Sequence, residues 1–209
     1  MLFDFDGVVV QSEGVYDQAT RKLGALYNVE IPESFYDENR GIAEAAFYGR
    51  FKRRFNLDVD DEELQSNGRR LLWEAFTTAV YITDGFEQFY GKVRGRDINV
   101  ALVTATAKPL LKEIFQNSGL EIMFDQIVTS SDVAKNKPAP DPYLKACELL
   151  MVQPDQTLVI EDSPTGLRSA TAAGCQTVAI TTSCPKESLK EANFVVDSFG
   201  ELEELLTIE

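Results

Sequence analysis

Met1-Leu2-Phe3-Asp4-Phe5-Asp6-Gly7-Val8-Val9 (residues 1–9) joins a short apolar run to two carboxylates spaced two apart and then to a glycine. An apolar run of this kind reads as a strand buried on both faces. Alternation along an extended chain puts Asp4 and Asp6 on one side, and Gly7 allows the backbone to turn directly after them. Ligands of an open parallel α/β sheet bind beyond the carboxyl ends of its strands, so the pair stands where chemistry is expected. Two close carboxylates repel unless they share a proton or a cation, which suggests a hard metal such as magnesium and different tasks for the two groups. One can attack as a nucleophile while the other moves protons. A strand that simply ends in turn or capping aspartates is the plainer alternative.

Working outward, five further apolar, β-branched runs recur: Ile98 to Thr104, Ile127 to Thr129, Thr157 to Glu161, Thr177 to Ile180 and Phe194 to Val196. Helical spacing separates them, at Leu111, Ile114 and Phe115; at Leu144, Cys147 and Met151; at Leu167, Ala170 and Gly174; and at Phe199, Leu202 and Leu206. Alternating strands and helices imply an α/β fold with a mainly parallel sheet covered on both faces. The stretch 12–84 breaks the alternation. It offers helical patterns at Val15, Ala19, Leu23 and Leu26 and again from Leu64 to Ala79, with no strand run. It reads as a helical domain (12–84) inserted into a core made of residues 1–11 and 85–209, with Gln11-Ser12-Glu13 as the exit and Asp84-Gly85 as the return turn. The first strand has only three residues before Asp4, which suggests a short edge strand or a trimmed start.

Composition narrows the function classes. Aspartate and glutamate outnumber lysine and arginine by 34 to 20, for a net charge of −14, which disfavours nucleic acid and anionic membranes as partners. The chain contains no histidine, which removes Ser-His-Asp and Cys-His catalysis and histidine metal sites together. Cys147, Cys175 and Cys184 lack CxxC spacing, so neither a disulfide framework nor a zinc site is expected. With no secretory signal and no membrane span, the expectation is a cytoplasmic protein, by default a monomer.

Three more strand ends carry polar groups. Val103-Thr104-Ala105-Thr106 precedes Lys108-Pro109, so Thr104 and the adjacent amides would lie beside a helix N-terminus suited to phosphate. Lys135-Asn136-Lys137-Pro138-Ala139-Pro140-Asp141-Pro142 is stiffened by prolines and could fix one lysine as a point charge. Glu161-Asp162-Ser163-Pro164 sets two acids at a strand end, where they could complete the oxygen ligands of a magnesium ion. Taken singly, a Thr N-cap and a solvated lysine are the favoured readings of the first two segments, and capping by Asp162 competes for the third.

Taken in order, Asp4-x-Asp6-Gly7-Val8-Val9, Thr104, Lys137-Pro138-x-Pro140-Asp141 and Glu161-Asp162-Ser163 with Gly166 resemble the four motifs of the haloacid dehalogenase superfamily. The position of the helical insert resembles its helical-cap branch, the group of phosphoglycolate phosphatases and β-phosphoglucomutases. The resemblance implies a Rossmann-like three-layer core with an α-helical cap, and a magnesium-dependent phosphatase that hydrolyses a small phosphorylated metabolite through an aspartyl-phosphate on Asp4. Asp6 would be the general acid/base, its carbonyl also binding the metal. Thr104, the Ala105 amide with Thr106 beside it, and Lys137 would hold phosphate. Glu161 and Asp162 would anchor magnesium, Asp162 most directly. In the cap, Arg40, Glu44 and Tyr16 are candidates for contacting the rest of the substrate. Arg50, Lys52, Arg53, Arg54, Arg69 and Arg70 could attract a phosphorylated ligand or simply face solvent. A sugar phosphomutase is the alternative, disfavoured because its relatives carry a cap histidine near Tyr16 and an arginine near Glu44. A non-catalytic phospho-ligand-binding protein is the outside alternative. Gln11 departs from the acid that many relatives carry there.

Overall fold

The computed structural model describes residues 1–39, 42, 44–78, 81–118 and 120–207. Six strands pair in parallel: β1 (Leu2–Phe3), β2 (Ala101–Val103), β3 (Gln126–Val128), β4 (Leu158–Glu161), β5 (Gln176–Ile180) and β6 (Phe194–Val196), in the order β3-β2-β1-β4-β5-β6. All six apolar runs read from the sequence became strands. The shortest, β1, is central rather than an edge: Leu2 is in register with Ala101 on one side and Val159 on the other. A two-residue strand holds its place there because both neighbours bury it completely. The chain lays β2 and β3 to one side of β1 and β4 to β6 to the other, so the order reverses between β1 and β4. Such a switch point opens a crevice at the carboxyl ends of the strands.

Helices cover both faces: α5 (Phe86–Arg94), α6 (Lys108–Ser118), α7 (Asp141–Leu150), α8 (Pro164–Ala172) and α9 (Phe199–Leu206), numbered after four that precede them in the chain. Strand alternation divides the core cleanly. Phe3, Leu102 and Ile160 point toward Phe86 and Phe89 of α5, Ile114 of α6 and Phe199 of α9, whereas Leu2, Ala101, Val103 and Val159 meet Tyr143 and Ala146 of α7 and Ala170 of α8. On α7 the periodic reading chose the wrong edge. Met151 is 92% exposed as a left-handed C-cap, and the buried stripe runs through Tyr143, Ala146, Cys147 and Leu150. The three cysteines are free thiols.

Between β1 and β2 lie the four earlier helices α1 (Glu13–Leu26), α2 (Glu33–Asn39), α3 (Glu44–Arg54) and α4 (Asp61–Thr78). The expected patterns on α1 and α4 are present, and α2, α3 and α5 add elements that the pattern search did not single out. This insertion has its own apolar centre: Leu23, Phe35, Tyr48, Phe51, Leu64 and Leu71. The segments entering and leaving it are tied to each other. Gln11 N donates to Tyr81 O at 2.8 Å, Thr83 N donates to Val9 O at 3.0 Å, and Val10 pairs antiparallel with Ile82. Exit and return therefore meet at one place, beside the carboxyl end of β1. Gly85 turns the chain into α5 with φ of 82°, where the Asp84-Gly85 turn was expected.

Phe51 is fully buried against Phe35, Phe47 and Phe55. Phe51→Ala is expected to cost about 3–5 kcal/mol, read as a lowered denaturant midpoint.

Candidate active site

Asp4 follows β1 directly, and its N–H donates to Ile160 O at 3.0 Å, so the strand ladder itself delivers its carboxylate to the switch point. The chain then turns: Gly7 N donates to Val10 O at 2.7 Å and Val10 N to Phe5 O at 3.0 Å. Gly7 has φ of 75°, and a Cβ there would lie 1.7 Å from Asp162 Oδ2. The turn and the close seating of Asp162 thus both require glycine.

Asp162 and Glu161 arrive from the end of β4. Glu161 is fully buried, and its carboxylate is saturated. Oε1 accepts from Lys137 Nζ at 2.7 Å and from Tyr143 OH at 2.7 Å. Oε2 accepts from Asp162 N at 3.1 Å, Ser163 N at 3.2 Å and Ser163 Oγ at 3.0 Å. The helix cap is Ser163, which accepts from Gly166 N at 3.0 Å, and not Asp162. Asp162 is thereby left to face the cavity, where Ser183 hydrogen-bonds it. A Cβ on Gly166 would fall 1.7 Å from Glu161 Oε1, so this packing also depends on glycine.

Lys137 spans the strand ends. Its Nζ donates to Asp4 Oδ1 at 2.7 Å, Glu161 Oε1 at 2.7 Å and Val103 O at 3.0 Å, and it lies 4.9 Å from the centre of the Tyr143 ring. Ser169 Oγ of α8 pins the proline loop by donating to Ala139 O at 2.6 Å. Burial opposes the lysine's charge, yet Asp4 and Glu161 hold its pKa above the ordinary value.

Asp6 is turned another way. Its Oδ2 accepts from Thr106 Oγ1 at 2.9 Å, Thr106 Oγ1 lies 3.3 Å from Tyr16 OH, and Asp6 Oδ1 is buried with no hydrogen-bond partner. Burial raises its pKa, against the hydroxyls of Ser12, Thr106 and Tyr16. Thr104 sits behind the surface, its Oγ1 accepting from Thr106 N at 2.9 Å. It therefore plays the turn-capping part that the sequence left open for it.

These groups form the floor of a cavity of about 650 Å³ between the sheet and the inserted helices. Of the residues expected from sequence, Asp4, Asp6, Ala105, Thr106, Lys137, Asp162 and Tyr16 line it, while Thr104 and Glu161 support it from behind. Arg40 lies outside the described residues, as does the side chain of Glu44. Of the basic residues in the inserted helices, Arg69 lines the cavity. Arg50 donates to Glu38 O, Lys52 pairs with Asp61, Arg70 pairs with Glu74, and Arg54 lies over Phe55. Sequence reasoning missed Tyr143 and Ser183. The second follows β5, so the strand-end argument applied to one more strand would have found it.

Oxygens of Asp4, Glu161 and Asp162 come within 4.8 Å of one another, a donor set that fits a hard divalent cation. Asp6 is outside this group. Burial pushes Asp4 up to about 8, with Glu161 and Asp6 adding to what Lys137 opposes. Burial, then Asp4 and Glu161, drive Asp162 well above the carboxylate range. One ammonium among four carboxylates leaves excess negative charge that a cation would relieve.

A parallel sheet with carboxylates gathered at its switch point and a helical insertion above them defines an α/β enzyme with an enclosed acidic site. The family model for haloacid dehalogenase-like hydrolases matches residues 1–180, and the chain belongs to that family. It is 27% identical over 205 residues to validoxylamine A 7'-phosphate phosphatase of Streptomyces hygroscopicus subsp. limoneus, covering 96% of this chain and 94% of that protein. Hexitol phosphatase A of Escherichia coli (strain K12) is 25% identical, with 96% of this chain and 91% of that protein covered. The solved β-phosphoglucomutase of Clostridium difficile shares the fold, with a TM-score of 0.85 at 24% identity, covering 99% of this chain and 94% of that one. No helix among the described residues is long and apolar enough to cross a membrane.

The raised carboxylates set a pH dependence. Asp4 unfolded loses its proton near the ordinary carboxylate value of about 4, but folded only near about 8. Between these limits the native state binds more protons, so metal-free protein should lose stability as pH rises from about 4 to about 8. Thermal melts across that range should show a falling midpoint. Magnesium should flatten the slope, and a flat slope without metal would contradict the assignment.

Proposed function

We propose that this phosphoric monoester hydrolase moves the phosphoryl group of a small phosphorylated metabolite first to Asp4 and then to water, with Asp6 transferring the proton in both halves. The observation that carries the reading lies at the end of β1. Asp4 is held by Lys137, and Asp6, two residues on, has one oxygen fixed by Thr106 and the other without a partner. A carboxyl at the cavity floor with a raised pKa and one oxygen without a hydrogen-bond partner suits a general acid. The relatives named validoxylamine A 7'-phosphate phosphatase and hexitol phosphatase A support the same chemistry.

In the first half, an Asp4 oxygen bonds to phosphorus as the ester P–O bond breaks, and Asp6 gives its proton to the departing alkoxide. In the second, Asp6 takes a proton from water, whose oxygen bonds to phosphorus as the P–O bond to Asp4 breaks. Lys137 fixes the nucleophile and offsets charge on the phosphoryl oxygens, and the Ala105 amide adds a donor beside the N-terminus of α6, Thr106 N being engaged by Thr104. Asp4 and Asp162 would hold magnesium, with Glu161 acting through Lys137 and the 162–163 backbone because its own lone pairs are engaged. The ion, when bound, supplies positive charge that lets these acids ionise together and polarises the phosphoryl group. The helical segment 12–84 would serve as a cap that excludes water during transfer. No observation here favours the mutase reading over hydrolysis.

The test is phosphate release from a panel of phosphorylated metabolites, with magnesium and with a chelator. Asp4→Asn should lower kcat by roughly 10³-fold or more, and near-normal activity in pure variant would sink the mechanism. Asp6→Asn should retain phosphate binding and slow both half-reactions by about 10²–10⁴-fold, except that an activated aryl ester, needing no acid, should still give a burst of alcohol.

A further inference from the structure

Away from its carboxylate floor, the cavity is walled by the inserted helices and α6. Aromatic rings dominate that wall: Tyr16 of α1, Phe35 and Tyr36 of α2, Phe47 and Tyr48 of α3, and Trp73 of α4. Its charged side chains among the described residues are Asp17, Arg69 and Glu113, two acids and one base, so the wall adds no positive excess to a floor that is already acidic. Trp73 is 43% exposed, and its Nε1 donates to Glu113 Oε2 at 3.4 Å, which places the indole where α4 meets α6.

Resting on the phosphatase reading above, we propose that the alcohol portion of the substrate is a non-anionic, ring-bearing group long enough to reach Trp73, and not a short carboxylic acid. Size points this way first. A cavity of about 650 Å³ falls within the roughly 300–1,000 Å³ of clefts that enclose drug-sized ligands. A phosphorylated two-carbon acid would occupy the floor and leave Tyr16, Phe47 and Trp73, the least buried rings of the wall, without a ligand against them. Surface chemistry points the same way, because ring faces gain from stacking on Tyr, Phe and Trp. Charge supplies the third argument. A carboxylate or second phosphate carried toward α1 and α6 would approach Asp17 and Glu113 inside a partly enclosed site, where Arg69 is the one base that lines this wall among the described residues.

Trp73 is the only tryptophan in the chain, so its fluorescence reports on this wall. Asp4→Asn protein with magnesium would be titrated with a nucleoside 5′-monophosphate, a disaccharide phosphate, phosphoglycolate and inorganic phosphate, with affinities measured by calorimetry. At least one ring-bearing ester should bind tenfold or more tighter than phosphoglycolate and change Trp73 emission, while inorganic phosphate leaves emission unchanged. Phosphoglycolate binding as tightly as every ring-bearing ester, or ring-bearing esters that bind without changing the emission or fail to bind, overturns the proposal. The wild-type release assay separates the two readings. Release from phosphoglycolate alone preserves the hydrolytic mechanism and removes this inference, whereas ring-bearing esters that bind at Trp73 but never release phosphate preserve the wall assignment and remove the mechanism.

Discussion

Lys137 Nζ lies between Asp4 Oδ1 and Glu161 Oε1 at 2.7 Å from each, with its third bond to Val103 O. Through these contacts it joins the ends of β1, β2 and β4. Four carboxylates converge there, and no other cation among the described residues lines the floor. Removing one partner of a buried pair typically costs about 3–5 kcal/mol, a sizeable fraction of a domain's net stability. The lysine's reach is in turn set by the proline loop, which Ser169 pins to α8. Charge at the site and packing of the sheet's far layer are therefore linked through one side chain.

Two missing Cβ atoms complete the arrangement. Gly7 makes room for Asp162, and Gly166 makes room for Glu161. Each acid is seated against a backbone that any larger residue would push away, and each gains burial that raises the cost of its charge. Glu161 meets this cost with hydrogen bonds to all its lone pairs, whereas Asp162 has Ser183 and a face toward the cavity. The contrast between two adjacent acids, one saturated and one open, separates a supporting role from a ligand role more sharply than their types could.

The sheet was legible because each of its strands is a continuous apolar run, a signal that needs no knowledge of neighbours. The central position of β1 was not, since two residues carry no record of what lies beside them. Helices α2 and α3 escaped because the aromatic residues that bury them, Phe35, Phe47 and Phe51, sit among charges that blur a helical stripe. At the site, acids and the lysine were readable from their place after strands and from motif order. Which of them faces the cavity was not. Thr104 and Glu161 lie behind it through hydrogen bonds to Thr106 N and Tyr143 OH, contacts made across distances in sequence or by local turns that spacing alone does not encode.

The paired linkers between Val9 and Thr83 have a wider meaning. They form a two-stranded stem, and everything from Gln11 to Tyr81 hangs from it without interrupting a single strand ladder of the sheet. The sheet and its acids can stay fixed while the tissue above the stem is lengthened, shortened or replaced, so that one chemical engine can be refitted to new molecules by exchanging what the stem carries.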